Sequence, residues 1–216
     1  MTPIQQLLDG ATSLTIDKQV PTSISISRGQ KLRTQTRSIS IYKFVVGLNP
    51  GLSYDNTTTR GLLQEYDTTG RLTEEQVKLS NVTGGSWICG YLGGLDAGDQ
   101  TLTYMSGNTN ANTMTVNVSD TANTSSSTVI VEKGDYIQAT GHRYPYQATA
   151  QVLRGSGATV DIPLHRNLLT TTTGGNVLFG SDVTFRVKMV QQPPYSVTPG
   201  RYVEWGGDMQ LMEVIT

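Results

Sequence analysis

The chain has 216 residues, of which 15% are charged, and its 16 Lys and Arg side chains nearly balance its 17 Asp and Glu side chains. This length suits one elaborate β domain or two small ones, and the abundance of Gly, Ser, Thr and β-branched residues favours many short strands over a helical bundle. The net charge of −1, without a block of like charges, argues against a dedicated binder of nucleic acid or of an anionic membrane surface. We find no signal-peptide pattern at the N-terminus and no stretch near the ~18 apolar residues that a membrane span needs.

The first predicted element is a short N-terminal helix within an arm of residues 1–20. Thr2 is its candidate N-cap, Pro3 suits the first helical position, and Gln5 completes a capping box with Thr2. The apolar side chains of this helix share one face: Ile4, Leu7, Leu8 and Ala11. Either this helix covers one end of a sheet of its own chain, or it is an arm that anchors on a neighbouring subunit.

Residues 21–92 are predicted as a first β region with one short internal helix. Isoleucine alternates with serine in 23–27 and 38–42, as in half-buried strands. The link between these runs carries four cationic side chains: Arg28, Lys31, Arg33 and Arg37. We interpret this link as a solvated turn, with a contact to acidic partners as the alternative. A capping box of Thr73 and Gln76 predicts the internal helix, and the glycine-bounded run 86–92 predicts a buried strand.

Residues 93–127 are rich in Gly, Asn, Thr and Ser and predict a projecting hairpin. Its predicted strands are 100–105 and 113–118. The segment 120–127 is interpreted as a flexible loop.

Residues 128–216 are predicted as a C-terminal β domain. Alternating apolar residues over 183–189 predict a strand with one buried face, which the prolines at 193 and 194 end. Further strands are predicted at 202–205 and 209–215, and Pro163 assigns the run 160–164 to a sheet edge or a bulge. The predicted fold class is therefore all-β: an antiparallel β-sandwich or barrel with a short N-terminal helix, one short internal helix and a projecting hairpin.

The search for catalytic, cofactor or metal sites identifies none. The single Cys89 cannot form a disulfide within the chain, which fits a fold made in a reducing cytoplasm, and its apolar neighbours predict a small core residue. His142 and His165 lack the spacing of a zinc site, and 155–157 is better explained as a turn than as a nucleophile elbow. Nothing in the spacing of the C-terminal carboxylates selects a pair for sugar hydrolysis: Asp161, Asp182, Glu204, Asp208 and Glu213. We expect no enzyme and no cofactor.

Aromatic and apolar side chains are the remaining candidates for contacts. Five aromatic residues are predicted either to line a sugar-binding face or to form the core and rim of protein contacts: Tyr144, Tyr146, Tyr195, Tyr202 and Trp205. The candidate interaction residues are Ile4, Leu7, Leu8, Tyr202 and Trp205.

Short segments of the C-terminal part occur in a characteristic order: KGDYIQ at 133–138, RYPY at 143–146, LHR at 164–166, SDVTF at 181–185, PPYS at 193–196, PG at 199–200 and WGGDMQLMEV at 205–214. With them, residues 128–216 resemble small β-rich virion structural proteins of tailed bacteriophages, of the tail and baseplate kind. The resemblance implies a non-enzymatic building block of the virion, made in the host cytoplasm, with copies of itself and other virion proteins as partners. A carbohydrate- or receptor-binding β module and a head decoration or head-fibre protein are the alternatives.

Overall fold

The computed structural model describes residues 2–20, 22–26, 32–36, 39–55, 57–70, 73–82, 84–95, 102–106, 111–119, 125–170 and 174–215. Strands are the main secondary structure of the described residues and helices are few and short, so the all-β prediction is confirmed. Within these ranges the helices are α1 (Pro3–Asp9), α2 (Thr59–Thr69) and α3 (Gly85–Ile88), with a 3₁₀ turn at Gly180–Asp182. No helix in the described part of the chain is both long and apolar enough to cross a membrane.

The strands are β1 (Ser13–Gln19), β2 (Thr22–Ile26), β3 (Leu32–Thr36), β4 (Ile41–Gly47), β5 (Leu52–Ser53), β6 (Glu75–Lys78), β7 (Thr103–Ser106), β8 (Thr113–Asn117), β9 (Val129–Val131), β10 (Tyr136–Ala139), β11 (Tyr146–Gln147), β12 (Val152–Leu153), β13 (Thr159–Pro163), β14 (Val177–Phe179), β15 (Thr184–Gln191), β16 (Tyr195–Val197), β17 (Tyr202–Trp205) and β18 (Met209–Glu213).

The largest sheet is antiparallel, with strand order β1-β4-β18-β15-β6. Three smaller sheets have the orders β11-β10-β14, β13-β8-β7 and β16-β17-β5, and two strand pairs, β12-β9 and β2-β3, complete the pairing. The sheets do not follow the predicted regions, because β15 and β18 from 128–216 lie between β4 and β6 from 21–92.

Two hydrophobic cores fill the fold. The first core lies under the five-stranded sheet and is built from residues at both ends of the chain, among them Ile4, Leu8, Phe44, Phe185 and Leu211. The second core is formed by residues from Leu95 to Phe179 and includes Met114, Val116, Ile137 and Ile162. Most of the second core thus comes from one stretch of the chain, although Tyr136 within that stretch packs in the first core.

The C-terminal strands were predicted well. The alternation over 183–189 gives β15, with Phe185 and Val187 fully buried, and the strand ends before the prolines. The later runs form β17 and β18. Pro163 ends β13, an edge strand of its sheet, as expected for a residue without a backbone N–H.

The N-terminal helix forms as predicted, but its contacts are within its own chain. Ile4 and Leu8 are fully buried and Leu7 is 5% exposed, all in the first core. This is the covering helix of the first interpretation; an anchoring role on a neighbour is not compatible with these buried positions.

The capping box predicted for this helix is wrong. The Thr2 side chain makes no capping hydrogen bond. Instead, the Gln5 amide accepts a hydrogen bond from the Lys78 N–H at 2.7 Å and donates one to the Lys78 carbonyl at 3.0 Å. The Glu75 carboxylate accepts the N–H of Ile4 at 3.2 Å. The strand β6, 71 to 73 residues away in sequence, therefore accepts a helix N–H through Glu75, and Gln5 occupies the backbone N–H and carbonyl of Lys78 at the end of β6.

Two local predictions between 72 and 92 are also wrong. The segment predicted as the internal helix is β6, because Glu75 and Val77 are buried on one face while Gln76 and Lys78 are exposed, and Val77 pairs with Phe185. The run 86–92, predicted as a buried strand, begins with α3 and continues without a strand. Cys89, however, is fully buried as expected, and its burial raises the pKa of the thiol to about 12.

The internal helix lies earlier, at α2. Asp55 precedes it, and its carboxylate accepts the N–H groups of Thr57 and Thr58 at 2.9 and 2.5 Å. These hydrogen bonds hold the pKa of Asp55 at about 2 and satisfy donors that a helix start leaves free.

The strands of the predicted hairpin are present, but the part of the hairpin that the structure describes is packed in a sheet and does not project. β7 and β8 pair, and β8 is the central strand between β7 and β13, with Met114 and Val116 fully buried in the second core. Parts of the earlier predictions lie outside the described residues: the strand ends at 27 and 38, the start of the 100–105 strand, most of the 120–127 loop, and Arg28, Lys31 and Arg37 of the basic link. Arg33 lies on β3, so the link contains a strand.

Candidate interaction surfaces

An aromatic trio forms where β16 and β17 meet α2. The ring of Trp205 lies 5.8 Å from the ring of Tyr66 and 5.6 Å from that of Tyr195. Tyr66 is fully buried, whereas Tyr195 and Trp205 are partly exposed. The indole N–H of Trp205 donates to the Asn49 carbonyl at 3.1 Å, and the Tyr66 hydroxyl donates to the Pro193 carbonyl at 3.3 Å. Hydrogen bonds therefore hold Trp205 and Tyr66 in place, and Tyr195 lies on the outer side of the trio.

Asp67, on the exposed side of α2, connects this helix to the trio. One of its carboxylate oxygens accepts the Tyr195 hydroxyl at 2.9 Å, and the other accepts the Gln192 amide at 3.0 Å. Burial and the hydrogen bond to Asp67 raise the pKa of Tyr195 to about 12, so the hydroxyl stays protonated and donates at neutral pH. No pattern in the sequence pointed to Asp67, which is 128 residues from Tyr195.

The predicted aromatic cluster is divided by the fold. Tyr195 and Trp205 come together, but Tyr144 and Tyr146 are buried in the second core. Tyr202 is 52% exposed, and among the described residues its ring makes no aromatic contact with the trio.

The predicted C-terminal carboxylates do not converge on one site. Glu213 is buried against Arg166, Asp182 pairs with Lys78 at 3.9 Å, and Asp161 accepts the Thr115 hydroxyl at 2.6 Å. Among the described residues, no group of three or more His, Cys, Asp or Glu side chains is arranged to hold a metal ion.

Arg166 and Glu213 form a buried clamp between the two cores. Two guanidinium nitrogens donate to the two carboxylate oxygens at 2.8 and 2.6 Å, and the side chains are 3% and 0% exposed. Arg166 also donates to the carbonyls of Ser40 and Pro145 at 2.8 and 2.9 Å. Burial alone would lower the pKa of Arg166, but the ion pair outweighs burial and raises it. With side chains only 3% and 0% exposed, the clamp is a buried structural contact.

His165 is a partly buried, hydrogen-bonded histidine. Its Nδ1 accepts the N–H of Gln147 at 2.9 Å, so the proton of the neutral ring is on Nε2, which lies 3.3 Å from the Tyr42 hydroxyl. Burial, followed by the charges of Arg166 and Lys18, lowers the pKa of His165 to about 3. His142 is 4% exposed and lies edge-on to Tyr104.

A second surface lies on α3 and on the segment directly after it. It consists of Trp87, Ile88 and Leu92, and we name it the α3 patch. These side chains are 89%, 44% and 67% exposed. The backbone behind them is fixed, because the Tyr91 hydroxyl donates to the Ile130 carbonyl at 2.5 Å and the Leu92 N–H donates to Asp135 at 2.9 Å. A short helix, followed by a segment held by hydrogen bonds, therefore presents an almost fully exposed tryptophan.

No protein-family model matches this chain, and no curated protein is similar to it in sequence.

Sequence reasoning missed the α3 patch because it assumed that Trp87 and Ile88 are buried. The glycines around the run were the available signal: Gly84 has φ +78°, a conformation that favours glycine and fits a turn into a short helix better than a strand.

Proposed function

We propose that this protein is a structural component of a tailed-bacteriophage virion, a tail or baseplate protein that assembles through symmetric contacts with copies of itself and with other virion proteins. The resemblance of residues 128–216 supports the virion context. The observation that carries the assembly role is the α3 patch, in which Trp87 is 89% exposed on α3 and the segment after the helix is held by hydrogen bonds.

The size of Trp87 makes it a strong candidate for the centre of an interface. A tryptophan buries ~150–250 Å² in a contact, which corresponds to ~4–6 kcal/mol of gross hydrophobic free energy at ~25 cal/mol/Å². Tryptophan is also enriched among the few residues that dominate binding free energies. A standard interface covers ~800 Å² per partner, so the α3 patch would be the centre of a larger contact.

We assign a second copy of this chain as the occupant of the patch. With 16 cationic and 17 anionic side chains, electrostatic repulsion between copies is weak.

The two edges of the large sheet also differ in whether their backbone groups are occupied. Gln5 occupies the backbone N–H and carbonyl of Lys78 at the end of β6, whereas no described strand pairs with the outer side of β1. An edge of this kind favours pairing with another chain.

Sedimentation velocity of the purified chain over a range of concentrations tests the assembly role. We expect the wild-type chain to self-associate and Trp87→Ser to weaken association at least about 30-fold, since removing an interface centre costs ~2 kcal/mol or more. The matched control is Val190→Ser, because Val190 is 51% exposed on β15, outside the patch. A monomeric wild type, or equal weakening by both variants, would contradict the assembly role of the patch.

The virion context is tested separately on native particles. These are purified by density-gradient sedimentation, and copies of this chain per particle are counted. A copy number that is a multiple of three or six supports a tail or baseplate position, and a far larger number points to the head. A chain that remains in the soluble fraction contradicts the virion proposal.

A further inference from the structure

Two open clefts meet at Asp67 and Tyr195. The first has a volume of about 730 Å³ and is lined by Gln192, Pro193 and Pro194 together with the two shared residues. The second, of about 370 Å³, adds side chains from α2 and the preceding loop: Tyr54, Arg60, Gln64 and Thr68. Because Asp67 and Tyr195 line both clefts, one ligand can contact them from either side.

We propose that these joined clefts bind a neutral sugar. The polar groups suit vicinal hydroxyls, because a carboxylate accepts hydrogen bonds while amide, hydroxyl and guanidinium groups donate them. Among the described residues, the Asp67 oxygens each accept one hydrogen bond, from Tyr195 and Gln192, and a carboxylate oxygen has capacity for further donors. Tyr195, with Tyr54 on the wall of the second cleft, supplies flat apolar surface for the C–H groups of a sugar ring.

The charges of the clefts favour a neutral ligand. Asp67 lies at the junction and Arg60 lines the second cleft, so one anionic and one cationic group are present among the lining residues. The Asp67 carboxylate at the junction would repel a phosphate or a carboxylate ligand. A metal ion would need further carboxylate or imidazole ligands, and no such group of three exists among the described residues.

The clefts are preorganised from behind. Trp205 packs against Tyr195, and Tyr66 packs against Trp205 and holds the Pro193 carbonyl that borders the first cleft. Asp67 is fixed by two hydrogen bonds before any ligand arrives. Fewer side chains then have to be ordered when a ligand binds, so less conformational entropy is lost. This increases the affinity for a small ligand that makes only a few contacts. None of these residues belongs to the α3 patch, so this inference stands apart from the assembly role.

The test is an NMR titration of the full chain with methyl glycosides of glucose, galactose and mannose and with N-acetylglucosamine, each up to about 10 mM. We expect saturable shifts from at least one of these sugars, centred on Asp67, Gln192 and Tyr195. Asp67→Ala is expected to weaken binding at least about tenfold. Tyr195→Phe is expected to weaken it less, because the ring remains and only the hydrogen bond to Asp67 is lost.

Asp161→Asn is the matched control. Asp161 is an exposed carboxylate on β13, a strand that packs on the second core, and it lines neither cleft. Circular dichroism establishes that each variant is folded. Absence of saturable shifts across the whole panel, shifts centred away from the clefts, or binding unchanged in a folded Asp67→Ala variant would each overturn the proposal. Inorganic phosphate serves as the charged comparison, and displacement of the sugar by phosphate would assign the site to anions instead.

Discussion

Replacing Glu213 by Gln should destabilise the protein strongly. Glu213 has no exposed side-chain surface, and its two oxygens each accept a hydrogen bond from the Arg166 guanidinium. Gln has nearly the same shape, and its carbonyl oxygen can still accept the N–H of Tyr42, which donates to Glu213 at 3.2 Å. The main change is therefore the loss of the negative charge, which leaves a buried cation without its counter-ion.

The structure sets the size of the effect. Breaking a buried ion pair by removing one partner typically costs ~3–5 kcal/mol, because the other charge stays desolvated. Domains have a total free energy of unfolding of ~5–15 kcal/mol, so this loss is a large share of the whole. The matched control is Glu74→Gln. Glu74 pairs with Arg186 at the surface, where the side chains are 30% and 18% exposed, and we expect a loss of ~0–1 kcal/mol there.

Urea unfolding, followed by circular dichroism and tryptophan fluorescence, measures both variants. With a denaturant dependence of ~2–3 kcal/mol/M, Glu213→Gln should lower the midpoint by ~1–2 M and Glu74→Gln by much less. A double variant, Arg166→Met with Glu213→Leu, should recover part of the loss, since removal of both charges leaves no buried ion. Similar midpoint shifts for the Glu213 and Glu74 variants would refute the reasoning that burial makes this pair critical.

Two further predictions concern His165 and helix α1. The pKa of His165 is lowered from 6.5 to about 3 in the folded chain. Between these pH values the unfolded chain binds a proton that the folded chain does not. The free energy of unfolding therefore has its full contribution from His165 above pH 6.5 and loses it as the pH falls towards 3, by up to ~1.4 kcal/mol per pH unit. Urea midpoints between pH 6.5 and 4 should fall less steeply for His165→Asn than for the wild type, and equal slopes would contradict the assignment. Leu8→Ala should cost ~2–5 kcal/mol, measured by thermal unfolding, because Leu8 is fully buried in the first core. Gln6→Ala, its exposed neighbour, should cost ~0.5 kcal/mol or less, and equal small effects would indicate an arm that is not part of the core.

Local patterns were reliable where one residue's environment follows from its near neighbours. The alternation over 183–189 predicts β15 because a strand with one buried face needs apolar side chains at every second position, wherever its partners lie. The pair Thr2 and Pro3 correctly predicts Pro3 as the first residue of α1, since proline suits the first turn of a helix. Pro163 marked a sheet edge because it lacks the N–H that an inner strand needs.

Tertiary contacts decided the elements whose local signals were ambiguous. Thr73 and Gln76 have the spacing of a capping box, but pairing of Val77 with Phe185 and burial of Glu75 at the start of α1 make the segment a strand. The α3 patch is exposed although its residues are apolar, because solvent exposure depends on which elements pack nearby and not on hydrophobicity alone.

The candidate sites divide in the same way. The sequence predicts an all-β chain and identifies Tyr195 and Trp205 among its candidate contact residues. Only the tertiary structure brought Asp67 to Tyr195, across 128 positions, and Glu213 to Arg166 between the two cores. Strand order and helix packing determine such distant neighbours, and these depend on which surfaces together bury the most apolar area, a property of the whole chain and not of any one segment.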